Sequence, residues 1–267
     1  MKRLSRYLFV LFIFFSSAFI VNASSQQAHQ DYLYQFDVYR QTYTDFQVAK
    51  NEYAKFNTLT SQTTALAKTK AMLSQRDQLL RAYLLLLNEK LNEDTGLNPS
   101  TKQLYRSLIS NEVTFLENHA KLVPSIGSIG DAVRIGEQLE SHYGVLQVSI
   151  RQILIGLSLG QLTILSDLYD KTMLDAQAQV QNNSTAFTPQ KQETINRWLL
   201  QIANKKNLYQ QKIDSISSAN AQLRFSDLQN LERQYNALTK DIGEARQYLR
   251  EGASFMTELV TAIKYVD

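Results

Sequence analysis

The sequence predicts an all-α protein: an elongated bundle of about six helices with coiled-coil-like antiparallel hairpins. Three observations carry this. Apolar residues recur at steps of three and four over long stretches, which lays one stripe along a helix. No stretch alternates apolar and polar residues between turn residues, as a half-buried strand does. The three prolines, Pro99, Pro124 and Pro189, all fall where the helical pattern stops.

The chain opens with the layout of a secretory signal peptide over residues 1–23. Lys2, Arg3 and Arg6 form a basic head, YLFVLFIFFSSAFIV (7–21) an apolar core, and Val21 and Ala23 occupy the −3 and −1 positions before Ser24. The core is shorter than the roughly 20 residues of a membrane-spanning helix. If kept uncleaved, the segment is an anchor and supplies membrane contact. The expected location is therefore periplasmic, cell-surface or extracellular.

The basic head also accounts for the net charge. Three of the 28 basic residues and none of the 25 acidic ones lie in it, so the remainder carries 25 of each sign. A neutral balance gives no basis for phosphate-driven binding, and no nucleic-acid partner is expected. Cysteine is absent, which excludes thiol catalysis, lipid attachment at Cys, and Cys-ligated zinc or iron–sulfur centres.

After the signal, the pattern places helices near 29–57, 61–93, 99–122, 130–182, 188–220 and 226–265. Asn98-Pro99 and Thr188-Pro189 put a capping side chain before a proline at the first helical position, where its missing N–H is not needed. Ser226 with Gln229 fits a capping box. Gly96 suits a left-handed residue ending the helix before it. The boundary near 58 rests only on the small polar residues of NTLTSQTT (57–64).

Three segments follow from these breaks: an N-terminal hairpin (24–93), central helices including a long apolar one (94–187), and a C-terminal hairpin (188–267). The expectation is one packed unit over 24–267. In the last helix Leu228, Leu231, Tyr235, Leu238, Ile242, Ala245, Leu249, Gly252, Met256, Leu259, Ile263 and Val266 keep a heptad register without a slip. The preceding helix does so from Ile195 to Leu223, with Lys206 and Asn220 as polar interruptions. Helices of this length run roughly 50 Å, hence the elongated expectation.

The stretch DYLYQFDVYRQTYTDFQVAKNEYAKF (31–56) holds eight aromatic rings. Tyr32, Phe36, Tyr39, Tyr43, Phe46 and Tyr53 follow a heptad seam and are expected to pack on leucines of the next helix, Leu73, Leu80, Leu84, Leu87 and Leu91. Tyr34 and Phe56 lie off the seam and are candidate partner contacts. Trp198, beside the seam residue Leu199, is a third.

Residues 144–165 are the most apolar stretch beyond the signal. Gly156 and Gly160, four apart, permit close approach of another backbone. The stretch reads as a buried core helix with a polar strip of Gln147, Arg151, Ser158 and Gln161; the alternative is a membrane-inserting segment, against which Arg151 weighs. The whole helix near 130–182 would run about 75 Å, longer than its neighbours, which predicts a kink or break near Gly144 or Gly156.

Motifs that carry chemistry are weak. Gly156-Leu157-Ser158-Leu159-Gly160 matches G-x-S-x-G, but lies inside a helical pattern with no strand before it, and all three histidines precede Ser158. PSIGSIGD (124–131) lacks the phosphate-loop pattern. His29, His119 and His142 have no Glu-x-x-His spacing and are expected at polar surfaces or helix ends. Asn182 and Asn183 begin N-x-[ST] matches, which matter only in a glycosylating host.

No catalytic, metal or cofactor site is expected. The functional expectation is an exported, non-enzymatic structural or protein-interaction module, engaging a protein partner or itself. The alternative is a membrane-active, pore-forming-like protein inserting residues 144–165.

Overall fold

The computed structural model describes residues 2–264, with side chains from 24 to 263. Six α-helices account for the fold: α1 (Lys2–Phe56), α2 (Leu59–Glu93), α3 (Pro99–Leu122), α4 (Ile129–Asn182), α5 (Pro189–Ala221) and α6 (Leu228–Lys264). Among the described residues there is no strand. The side chains of the expected signal peptide, 1–23, lie outside the described residues. Helix boundaries fall within two residues of those read from 61 onward in the sequence.

The local stop signals differ in chemistry from the expectation at three places. Asn57 ends α1 in the left-handed conformation, with φ 48°, and no described glycine has positive φ. Gly96 is therefore not a left-handed cap; the Asp94 carboxylate accepts from the N–H groups of Gly96 (2.9 Å) and Leu97 (2.8 Å) instead. Helix α6 is capped by Asp227, whose Oδ1 accepts from the Asn230 N–H at 2.7 Å, one residue after the Ser226 of the expected box. Thr188 caps α5 as read, accepting from the Lys191 N–H at 3.3 Å.

The residues form two compact units rather than one, and the division runs through α4 at Ile150/Arg151. The first contains α1, α2, α3 and the start of α4. Cross-links between neighbouring helices set its topology. Lys68 meets Asp45 and Gln75 meets Gln35 between α1 and α2. Arg106 meets Asn92 and Glu117 meets Arg81 between α2 and α3. His119 meets the Ile135 carbonyl and Glu112 meets His142 between α3 and α4. In each pair residue numbers fall on one helix as they rise on the other, so this unit is an up-down-up-down four-helix bundle.

The second unit joins residues 94–99 and the rest of α4 to α5 and α6. The α4–α5 contacts are Gln152 with Asn220, Leu162 with Tyr209 and Tyr169 with Ile202. The α5–α6 pairs, Lys205 with Glu251 and Lys212 with Asp241, also run antiparallel. Three helices thus pack alternately around the heptad seam. Ile195, Ile202, Tyr209, Ile216, Leu231, Leu238, Ala245, Leu249, Met256 and Leu259 are all buried, whereas Leu228, at the end of the seam, is exposed. The two polar seam positions bond to α4: Lys206 donates to Ser166 (2.6 Å) and Asp170, and Asn220 donates through Nδ2 to the Gln152 carbonyl (3.1 Å).

Helix α4 continues through Gly144 and Gly156 without the expected break. By length and composition it could cross a membrane, yet Leu146, Ile153, Ile155 and Leu162 are buried against protein. Of its polar strip, Arg151 pairs with Glu232 at 2.7 Å and sits over the Tyr235 ring, while Gln161 is exposed.

Candidate functional site

The aromatic ladder on α1 is not a buried seam. None of its eight rings is buried. The reason lies in topology, because α1 packs mainly on α2, and a single partner helix covers only part of a ring-bearing face. Even the seam residues Phe36 and Tyr43 are 40% and 43% exposed, while the off-seam Tyr34 and Phe56 reach 66% and 59%. The rings touch one another along the helix, as in Tyr39–Tyr43 and Tyr43–Phe46, with centroids 5.9 and 6.1 Å apart. Tyr32 meets Tyr83 of α2 at 5.3 Å. Cations lie over several: Arg40 over Phe36, Lys50 over Phe46 and Lys55 over Phe56. Of the five leucines expected opposite the rings, Leu73, Leu84, Leu87 and Leu91 are buried and Leu80 is half-buried.

Trp198, the third candidate contact, is half-buried, its ring 5.6 Å from Phe255 of α6. Gly156 and Gly160 are buried. At Gly160 the close approach comes from a loop rather than a helix: a side chain there would run into the Asp94 carboxylate, and one at Gly96 into the Gly160 carbonyl. Ser158, centre of the G-x-S-x-G match, donates to the Leu154 carbonyl at 3.0 Å as an ordinary helical hydroxyl.

Of the histidines expected at polar surfaces or helix ends, His119 does lie in the last turn of α3 but faces inward, and His142 sits half-buried within α4. His119 is buried, with Nδ1 2.7 Å from the Asp77 carboxylate and Nε2 2.8 Å from the Ile135 carbonyl. It therefore ties α3 to both α2 and α4. Both acceptors favour a ring that donates from each nitrogen, and the Asp77 hydrogen bond raises the His119 pKa, against the lowering effect of burial. His142 contacts Glu112 at 2.7 Å through Nε2 and stacks on Phe115 at 3.6 Å. Glu112 is buried and also accepts from Ser149 at 3.1 Å. The signal was legible: Glu112 and His119 stand seven apart, two turns along one face. Among the described residues no cluster of His, Asp or Glu could hold a metal ion.

Beside this network the first unit contains a cavity of about 720 Å³ formed by α1, α2 and the start of α4. Met72, Leu73 and Ala132 of the buried cluster against which Tyr39 and Phe46 pack line it. Arg76 of α2 lines it. The Nε and Nη2 atoms of Arg76 are buried and make no hydrogen bond. Burial pulls the Arg76 pKa down, while Asp77, Tyr39 and Glu140 push it up. Nothing in the one-dimensional pattern marks Arg76, since it reads as one more polar position on an amphipathic helix.

The fold places the chain in the class of α-helical bundles. It matches no protein-family model, and neither a curated protein nor a solved structure shows significant similarity to it.

Proposed function

We propose that this is an exported, non-enzymatic helical protein that acts as an interaction module in the periplasm or at the cell surface. The observation that carries the reading is the half-covered aromatic face of α1. Rings left half-exposed along one helix, with Tyr34 and Phe56 the most exposed, leave knobs without holes, and a further helix from a protein partner is what such a face accepts. Aromatic side chains supply large contact area and are enriched at interfaces. Export rests on the basic head and apolar core of residues 1–23. The non-enzymatic reading is supported by His119, whose ring nitrogens are both engaged between helices. Burial of Leu146, Ile153 and Leu162 weighs against the membrane-active alternative.

The test is a tagged full chain expressed in its host, compared with the Tyr34→Ser, Phe56→Ser variant. The expected result is an exported chain beginning at Ser24, and a defined protein cross-linked to wild type and lost from the variant at unchanged melting temperature. Identical cross-linking by both forms, or retention in the cytoplasm, overturns the proposal. A cross-linked second copy of the same chain makes the contact self-association.

A further inference from the structure

The geometry points to a ligand site in the second unit: the groove between α4 and α6 binds a single-chain amphiphile with a phosphate head. The head sits at Arg246 and Arg250 and the chain lies along the groove. This goes beyond the interaction reading, because it concerns a different unit from the aromatic face of α1.

Three observations combine. The first is apolar surface left uncovered in a concave place. The groove holds about 800 Å³, within the range of about 300–1,000 Å³ typical of small-molecule sites. Leu249 and Met256 line it and are buried, while Leu165, Leu168 and Val260 line it and are 42%, 62% and 39% exposed. An alkyl chain laid there leaves water together with these side chains. From Arg250 to Thr261 the α6 wall runs about 16 Å.

The second observation concerns which polar groups of the lining are already used. The Tyr169 hydroxyl donates to the Ile202 carbonyl. The hydroxyls of Thr172, Thr257 and Thr261 donate to carbonyls one turn back in their own helices. Arg246 and Arg250 differ: among the described residues neither makes a hydrogen bond or an ion pair. Arg250 is exposed. Arg246 is half-buried with its Nε enclosed, but its two Nη atoms keep contact with solvent. Both arginines can therefore meet a ligand.

The third observation is the order of charge. No Asp or Glu lines the groove among the described residues, and Glu244 and Glu251 of α6 are engaged by Lys212 and Lys205 of α5. Arg246 and Arg250 stand one turn apart on one face of α6, and beyond Arg250 the α6 lining is uncharged. That order sets the orientation, with the head at the arginines and the chain toward Thr261. Like charges at this spacing repel, so an anion between them removes an existing cost. Two guanidinium groups and no carboxylate favour a doubly charged phosphate monoester over a singly charged carboxylate, and guanidinium nitrogens match phosphate oxygens.

The experiment is calorimetric titration of the full chain with decyl phosphate below its micelle concentration, alongside octyl phosphate, decanoate, decan-1-ol and decyltrimethylammonium. Saturable one-site binding of decyl phosphate is expected. Decanol should be weaker by about tenfold or more, as the loss of a charge-assisted hydrogen bond implies. Octyl phosphate should also be about tenfold weaker, because two fewer methylenes are buried. Decanoate should be weaker than decyl phosphate, and the ammonium should not bind. The Arg246→Gln, Arg250→Gln variant should bind decyl phosphate about tenfold or more weakly while leaving decanol unchanged.

Ala253 is exposed and lines the groove. Ala253→Trp fills it and should weaken both decyl phosphate and decanol, which keeps the test decisive if the arginine variant folds poorly. Residues 1–23 are common to all variants, so their apolar core does not produce these differences. Absence of saturable decyl phosphate binding, equal affinity for decyl phosphate and decanol, or equal affinity for the octyl and decyl phosphates each overturns the proposal. So does tighter binding of decanoate, or an unchanged affinity in the arginine variant. Binding to phosphatidic acid vesicles without binding of the monomeric amphiphile overturns it as well, and makes the face a membrane surface. The Tyr34→Ser, Phe56→Ser variant should bind decyl phosphate like wild type, so the two proposals fail separately.

Discussion

At the scale of single residues, the His119–Asp77 pair is the most consequential contact in the first unit. Asp77→Ala removes the hydrogen bond that raises the His119 pKa and leaves a buried ring nitrogen without its acceptor. A buried donor left unsatisfied costs about 1–3 kcal/mol, to be read from urea unfolding. The pH dependence follows from the direction of the shift. The folded pKa of His119 lies above its ordinary value of 6.5, so folding favours the protonated ring. That contribution is present in full below about pH 6.5 and is lost as pH rises through the folded pKa. Unfolding free energy should therefore decline above about pH 6.5, and in His119→Gln the decline over that window should flatten. Equal slopes in the two proteins would show that the ring does not titrate as the pair requires.

At the scale of elements, α6 contains two glycines of opposite meaning. Gly243 is exposed and an added methyl group would touch nothing. Gly243→Ala removes backbone freedom from the unfolded chain and should raise stability by about 0.5–1 kcal/mol. Gly252 is buried, and a methyl group there would run into the Tyr169 ring, whose hydroxyl is bonded to the Ile202 carbonyl at 2.8 Å. Gly252→Ala should lower stability by about 1–3 kcal/mol, the usual range for overpacking. Thermal unfolding of both variants checks the contrast, and a shift in the same direction for both contradicts it. The heptad register placed Gly252 on the seam but could not show that a tyrosine from a third helix fills the space.

The same limit explains the rings of α1. Their spacing was readable, and it correctly assigned six of them to one stripe. It also singled out Tyr34 and Phe56, which are the most exposed of the eight. What spacing omits is the number of helices covering a stripe. The α6 seam faces both α4 and α5 and is buried, whereas the α1 stripe lies mainly on α2 and is not. Two stripes with the same period therefore differ in burial.

For the whole molecule, the division into two units has a measurable consequence. Leu116 is fully buried in the first and Ile202 in the second. Leu116→Ala and Ile202→Ala should each cost about 2–5 kcal/mol. Opening is cooperative within packed units, so Leu116→Ala should speed amide exchange in α2 and α3 and leave α5 and α6 nearly unchanged, with the converse for Ile202→Ala. Uniform acceleration in either variant would mean that the chain opens as one unit.

By itself the sequence determined the helices, nearly all their ends and the stripe along which α5 and α6 pack, but not that the stripe of α1 stays half-exposed. Those properties depend on neighbours within a turn or two: the 3.6-residue period, proline's missing N–H, a capping oxygen within reach of a free donor. Only the tertiary structure decided which carboxylates met His119 and His142, why Gly96 and Gly160 must stay small, where the chain divides, and that Arg76 lines a cavity. Each of these brings together side chains 20 or more residues apart, and what a side chain faces across a bundle is set by the partner helix and its axial offset. A periodic stripe says which way a residue points, and the fold says what stands opposite.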